Sequence, residues 1–156
     1  MKTHPDPPRP GSLPWSQELE ELLTKWHMDC SERSRSHARC AIRKKQLYRL
    51  LSIPSIIVPI AMASLTQLYP VCDSYEAQFI NSVGFLLSGA LAGVSSFLNY
   101  GNKYAQHAQY EILYYELYTE IEYILAKPSA FRVQAEVALI DIRLTYEALN
   151  KSSPDL

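Results

Sequence analysis

Two long stretches without a charged residue interrupt an otherwise charge-rich chain. Leu50 to Cys72 and Ala77 to Asn102 contain no Asp, Glu, Lys or Arg, and only Asp73 and Glu76 separate them among the few residues between. About 20 apolar residues at a rise of about 1.5 Å each cross the hydrocarbon core of a bilayer, so each run is long enough to span one. The competing arrangement is a soluble four-helix bundle with these two helices at its centre. Helices of that kind carry a polar face, because each contributes only a stripe to the core. The segment LLSIPSIIVPIAMASLTQLY, Leu50 to Tyr69, has no such face: its polar atoms are Ser and Thr hydroxyls and Gln67. The pattern therefore predicts two transmembrane helices, 50–72 and 77–102.

Outside these runs the periodicity becomes amphipathic. Five of the ten prolines lie in MKTHPDPPRPGSLP, so residues 1–15 read as a disordered tail. Ser16 is placed to cap a helix over 16–49, with Glu18, Glu20 and Glu21 near its positive end and Leu19, Leu22, Leu23, Trp26 and Cys30 along one side. Pro54 suits the first turn of the first span and Pro59 would kink its interior, which calls for a closely packed neighbour. After the second span neither Gly nor Pro occurs between Asn102 and Lys127. Span and following segment thus read as one rod of about 45 residues, about 68 Å long, with Gly101 its weak point. Ile112, Leu113, Tyr115, Leu117, Ile121 and Ile124 supply its apolar positions. Lys127-Pro128 ends it, Ser129 is placed to cap a last helix, and Val133, Val137, Ile140, Leu144 and Ala148 form that helix's expected apolar stripe. The expected fold is an all-α membrane protein: a two-span hairpin continuing into a helical bundle, one domain over 16–150, with 103–150 a helical hairpin and 151–156 a tail.

Charge orients the hairpin. All 15 Lys and Arg lie before Leu50 or after Asn102, whereas the loop PVCDSYEAQ carries only two acids. Basic residues concentrate on the cytoplasmic side, so both termini are expected in the cytoplasm, at an inner or plasma membrane. Tyr69, Tyr75 and Tyr100 fall near the expected interfaces. The first 49 residues hold no apolar stretch resembling a secretion signal, so the first span is expected to serve as its own insertion signal. Arg35, Arg39, Arg43, Lys44, Lys45 and Arg49 form a membrane-proximal basic collar. Its position suits anionic lipid headgroups, or salt bridges to Glu111, Glu116, Glu120 and Glu122, rather than nucleic acid.

Small residues pattern the second span. Gly84, Ser88, Ala92 and Ser96 recur every four residues, and Gly89 and Gly93 make a GxxxG pair on a neighbouring ridge. In lipid, helices associate by close backbone approach, which small residues permit. Gly84, Gly89 and Gly93, with Pro54 and Pro59, are candidate helix-packing positions. Packing against the first span, where Ser55, Pro59, Ala63 and Gln67 also recur at four, accounts for the pattern. Alternatively Ser88, Ala92, Ser95, Ser96 and Asn99 line a pore. Two spans cannot enclose an aqueous path, so a pore requires a homo-oligomer. A rod leaving the bilayer without a hinge would also couple the bundle to the span.

Catalytic chemistry finds little purchase. His107 and Glu111 lie one turn apart, but no Glu-x-x-His accompanies them, and His107 reads as a packing or hydrogen-bonding side chain. Counted from the ends of the charge-free runs, His37 and His107 differ in level by about 12 Å and should not share a site. Cys30 and Cys40 are expected as reduced thiols, and Cys72 as a free thiol that can cross-link copies on the far side. There is no Gly-rich phosphate loop, nucleophile elbow or HExxH, so no enzyme, metal or cofactor is expected.

The order of landmarks resembles the SLATT family, the two-transmembrane effector domains associated with nucleotide-second-messenger synthases and SLOG sensors. The similarity rests on Trp26, His37-Ala38, LYRLLSIP at 47–54, the small-residue second span, and SSFLNYGNKYAQHAQYEILYYELYTEIE. Within that last stretch Phe97, Ala105, His107, Tyr114, Leu117 and Glu122 follow the family's pattern. The resemblance covers roughly 17–150. It implies an oligomeric effector that forms pores or permeabilises the membrane in antiviral defence, acting here with a separately encoded sensor or synthase because no sensor domain is attached. The alternative is a non-conducting scaffold that recruits a partner through its cytoplasmic helices.

Overall fold

A computed structural model describes residues 14–68 and 75–156. The expectations for the Pro-rich tail up to residue 13, for Tyr69 and for Cys72 lie outside the described residues. Four α-helices and one 3-10 turn make up the described chain, without a strand: α1 Gln17–Leu68, α2 Tyr75–Leu98, α3 Tyr100–Ala126, the turn Ser129–Phe131, and α4 Ala135–Ser152. Two helices are long and apolar enough to cross a bilayer.

Ser16 begins α1 as expected: its Oγ accepts the amide of Leu19 at 3.3 Å, and Glu18 and Glu20 occupy the first turn. From there α1 continues for 52 residues, through both Pro54 and Pro59. Pro54 therefore sits inside a helix and not at the first turn of a new one. Its missing N–H leaves a carbonyl one turn back without its amide donor.

The second half departs from the unbroken rod. Helix α2 ends at Leu98, α3 starts at Tyr100, and Asn99 between them has φ 50°. Asn is among the residues that tolerate this left-handed conformation. Helical hydrogen bonds persist across the break, from the Asn99 amide to the Ser95 carbonyl and from the Lys103 amide to the Asn99 carbonyl, both 3.1 Å. The weak point is thus Asn99. Gly101 lies within α3, and a Cβ there would stand 3.4 Å from the Tyr48 ring.

The chain forms two compact units, one from the residues up to Arg39 with Gln106–Leu156, the other Cys40–Ala105. In the first, parts of α1 and α3 pack with α4 through columns spaced by seven. Leu23, Cys30 and His37 line α1; His107, Tyr114 and Ile121 line α3; Ala135, Ile142 and Leu149 line α4. All nine are buried. This is the repeat by which helices interlock side chains along a shared seam. Trp26 stacks on Tyr146 at 5.5 Å, and the Tyr114 hydroxyl donates to Asn150 Oδ1 at 2.9 Å.

Two expectations for the C-terminal helix need correction. Ser129 opens the 3-10 turn, and α4 begins only after Gln134. Arg132 holds the intervening chain extended: its Nε and Nη2 donate to the carbonyls of Lys127 at 2.6 Å and Leu125 at 3.0 Å, and Nη1 pairs with Glu20. Its guanidinium also lies over Trp15, whose indole N–H donates to the Val133 carbonyl at 3.1 Å. The expected stripe is likewise on the wrong face. Val137, Ile140 and Leu144 are 53%, 52% and 62% exposed, while Ala135, Ala138, Ile142 and Leu149 enter the core. Helix α4 carries two apolar stripes, and the one containing alanines allows closer approach to its neighbours. On α3 the buried side chains are His107, Tyr114, Leu117 and Ile121, while Ile112 and Tyr115 are exposed.

In the second unit α1 and α2 run antiparallel. Gly84 lies against Met62, Ser95 against Ser52, and Gly101 against Tyr48. No residue in the most apolar 18-residue stretch of α1 is buried, and 6% are buried in that of the second apolar helix. Leu50, Ile56, Ile60, Leu86 and Phe97 are all more than half exposed. The soluble-bundle alternative requires these helices to be covered, and within this chain they are bare.

Candidate functional site

The small-residue face of α2 divides between the hairpin's interior and its surface. Ser88 is buried, its Oγ donating to the Gly84 carbonyl at 2.9 Å, the back-bond that satisfies a hydroxyl inside a helix. Ser95 Oγ lies 3.3 Å from Ser52 Oγ on α1. Ala92, Ser96 and Asn99 are exposed. The three glycines divide in the same way. A Cβ on Gly84 would stand 3.2 Å from Met62, whereas at Gly89 and Gly93 nothing lies within 4 Å. The GxxxG ridge is therefore open in the single chain, and the α1 contact uses Gly84, Ser88 and Ser95.

The basic collar is divided as well. Arg35 and Arg39 belong to the first unit, Arg43, Lys44, Lys45 and Arg49 to the second. Lys44 stands over the Tyr100 ring at 5.8 Å and Lys45 over Tyr104 at 5.4 Å, distances at which a cation is drawn to a ring face. Among the described residues the ion pairs are Arg33–Asp29, Arg132–Glu20 and Arg143–Glu147. The expected bridges from the collar to Glu111, Glu116, Glu120 and Glu122 do not form. The four carboxylates belong to the first unit, whereas Lys44 and Lys45 belong to the second and stand over tyrosine rings instead.

Within the first unit the structure overturns one expectation outright. His37 Nδ1 and His107 Nδ1 are 3.0 Å apart, and both side chains are buried. The 12 Å offset assumed that the two charge-free runs end at one level. In the hairpin Tyr48 lies beside Gly101 and Ser52 beside Ser95, so the runs are staggered by a few residues, which removes about half of that offset. His107 is a hydrogen-bonding side chain, as its position suggested, but its partner is His37. Ser34 Oγ donates to the Glu111 carbonyl at 3.1 Å in the same seam.

A contact between two Nδ1 atoms requires one donor and one acceptor, so the rings adopt complementary tautomers or share one extra proton. His37 is held below its ordinary pKa by burial, and further by His107 and Arg33. Its ring stacks on Tyr114 at 5.6 Å and lies 5.9 Å from Tyr110. Among the described residues no group of three His, Cys, Asp or Glu is arranged to hold a metal, and two imidazoles fall short of a zinc ligand set. Nearby, burial pushes the Cys30 thiol up to about 12, with the Asp29 charge adding to it. Cys30 is therefore a protonated core side chain, and Cys40 is likewise free. Asp29 itself accepts from Arg33 Nε at 2.8 Å and from the Tyr146 hydroxyl.

A groove along α1 completes the first unit. It encloses about 640 Å³ and is lined by Lys25, His27, Arg35, Arg39 and, from α3, Tyr118, with Asp29 and Glu32 also at its wall. The His27 ring stacks on Tyr118 at 4.3 Å, yet its buried Nε2 has no hydrogen-bond partner. An unpaired buried polar atom costs about 1–3 kcal/mol.

Sequence reasoning missed the histidine pair, the Arg132 node and this groove. A signal for the first was present: the stripe ending at Cys30 continues seven residues later at His37. Comparison with known proteins returns no family model, no curated protein and no solved structure that matches this chain.

Proposed function

We propose that this chain is a two-span membrane protein with both termini in the cytoplasm, which assembles into an oligomer that conducts ions or permeabilises the bilayer. The observation that carries the reading is the bare apolar surface of the hairpin. Leaving an isoleucine or leucine side chain in water in place of an apolar surround costs about 1.5–3 kcal/mol, and here that exposure runs the length of two helices. Hydrocarbon removes the penalty. The open Gly89 and Gly93 ridge then supplies a surface on which another copy's backbone can approach closely. The exposed Ala92, Ser96 and Asn99 lie on the same helix as candidate pore-lining groups, while Ser88 and Ser95 support them from within the hairpin. The resemblance to SLATT effectors favours a defence role triggered by a separate sensor or nucleotide-signal synthase. The unpaired collar residues Arg43, Lys44, Lys45 and Arg49 suit anionic headgroups at the cytoplasmic surface.

Ion flux from liposomes loaded with a fluorescent indicator tests this directly. Wild-type protein is expected to dissipate the gradient, and the Gly89→Leu/Gly93→Leu variant to fail while remaining membrane-inserted. A second reading, a scaffold that does not conduct, draws on a different observation: the exposed Val137, Ile140 and Leu144 face of α4 is suited to recruiting a partner helix. A well-folded oligomer that never conducts, and whose partner binding is lost on Ile140→Lys, would favour it.

A further inference from the structure

One apolar face of the first unit is left uncovered, and the segment of chain that precedes α1 ends beside it. Val137, Ile140, Leu144 and Ala148 recur along the exposed side of α4, and Phe131 and Val133, just ahead of the helix, are exposed as well. Trp15 is fixed at this end: its indole N–H donates to the Val133 carbonyl at 3.1 Å, and the Arg132 guanidinium lies over its ring. Residues 1–13 therefore lead up to the start of the stripe. Their sequence repeats at the spacing of a polyproline helix, about three residues per turn. Pro7, Pro10 and Leu13 fall on one edge, Pro5, Pro8 and Pro14 on a second that Gly11 interrupts, and Thr3, Asp6, Arg9 and Ser12 on the third. Proline excludes an α-helix there but presets this extended form, which then has two apolar edges and one polar edge. Length and charge agree with the match. Pro7 to Leu13 covers about 19 Å at about 3.1 Å per residue, and Val137 to Ala148 about 17 Å at about 1.5 Å. Glu136 and Asp141 flank the stripe, exposed and without an ion pair among the described residues, while the segment carries Lys2 and Arg9 against one acid, Asp6. The same acids disfavour an anionic lipid surface.

We propose that residues 5–13 lie as a polyproline helix along the Val137, Ile140 and Leu144 face of the same chain's α4. The direction follows from the contacts of α1. Trp15 meets Val133 and Trp26 meets Tyr146, so α1 and α4 run parallel, and a segment entering α1 must run against α4 to cover it. The chain reverses at Pro14–Ser16, ahead of the first helical residue Gln17. Pro7, Pro10 and Leu13 then pack between the aliphatic side chains of α4, and the exposed Phe131 ring adds the kind of aromatic surface on which proline-rich segments dock. Arg9 and Lys2 face a helix whose unpaired charges are acidic. The segment is thus an intramolecular cover, and any partner helix that uses this face has to displace it. Only α4 and the chain before α1 are required, so the inference does not rest on membrane insertion or pore formation.

The test uses the full-length protein in detergent, with Cys40 and Cys72 replaced by serine and a nitroxide attached at Asp6→Cys, on the polar edge; Cys30 is buried and stays. Methyl resonances of the same chain are read by NMR after dilution with excess protein that carries neither label. Docking against α4 puts the nitroxide near the far end of the stripe, so broadening is expected to be strongest at Leu144, weaker at Ile140 and Val137, and least at Val133. A segment held only at Trp15 gives the reverse order. Pro7→Ser/Pro10→Ser/Leu13→Ser and, separately, Ile140→Ser should each reduce the Leu144 broadening several-fold, and Thr3→Ala should leave it unchanged. Should Ile140→Ser disturb the bundle, the segment variant, which leaves α4 intact, decides. Broadening greatest at Val133, or equal at Ile112 on α3, overturns the proposal, as does a gradient that survives the segment variant. Broadening seen only when nitroxide and methyl labels are on different chains assigns the face to a second copy, and broadening of these methyls by a headgroup-nitroxide lipid in nanodiscs assigns it to the membrane; either result overturns the proposal as well.

Discussion

His37 and His107 meet through their Nδ1 atoms at 3.0 Å, inside a seam where both imidazoles are shielded from solvent. Two such nitrogens can share one proton but not hold two. Around them stand Arg33 on α1 and Tyr110 and Tyr114 on α3. Arg33 is held protonated beside Asp29, so its charge adds to the resistance against a second cation.

Acid should therefore loosen the bundle. Because the His37 pKa is lowered on folding, the unfolded chain binds the proton more readily. The stabilisation from neutral His37 is present above the unfolded value of about 6.5 and fades as pH falls through and below it. The slope is at most about 1.4 kcal/mol per pH unit for one proton. Thermal melts between neutral and mildly acidic pH should show the transition falling, and His37→Phe should flatten that dependence. An unchanged acid dependence in this variant would locate the sensitivity elsewhere.

Glycine substitutions should separate folding from assembly. Leucine at Gly84 must displace Met62, so it is expected to disturb the hairpin within one chain. At Gly89 or Gly93 the space is open, so leucine is expected to leave the monomer's helicity intact and to abolish the proposed oligomer. Circular dichroism together with native mass spectrometry in detergent distinguishes the two effects.

Arg132 joins the start of α1 to the end of α3 through Glu20, Leu125, Lys127 and Trp15. Its side chain is 8% exposed. Arg132→Ala removes charge-assisted hydrogen bonds to two carbonyls and is expected to cost about 2–3 kcal/mol by denaturant unfolding. Arg143→Ala removes a pair whose side chains are 64% and 57% exposed, and should leave stability nearly unchanged.

At Asn99 the left-handed φ of 50° sets a backbone requirement. Asn99→Gly should be tolerated, whereas Asn99→Val is expected to destabilise the junction by about 1–2 kcal/mol, since a β-branched side chain clashes in that conformation. Hydrogen exchange at the Lys103 amide, bonded across the junction, reads the difference directly.

What the residues determined alone was the all-helical class, the two long apolar helices, the Ser16 cap, and the division between uncharged and charged chain. These follow from local composition and from periodicity over a few turns, which need no partner to be read. Tertiary structure decided which of two apolar stripes on α4 is buried, that Asn99 and not Gly101 interrupts the second rod, and that His37 faces His107. It also split the small-residue face, turning Ser88 and Ser95 inward and leaving Gly89 and Gly93 open. For the histidine pair and the split small-residue face the physical reason is the stagger between helices distant in sequence, for α4 it is how closely each stripe lets its neighbours approach, and for Asn99 it is a local left-handed backbone. Hydrophobic periodicity fixes how residues are arranged around a helix, but the sliding of one helix along another is set by side-chain packing across the seam.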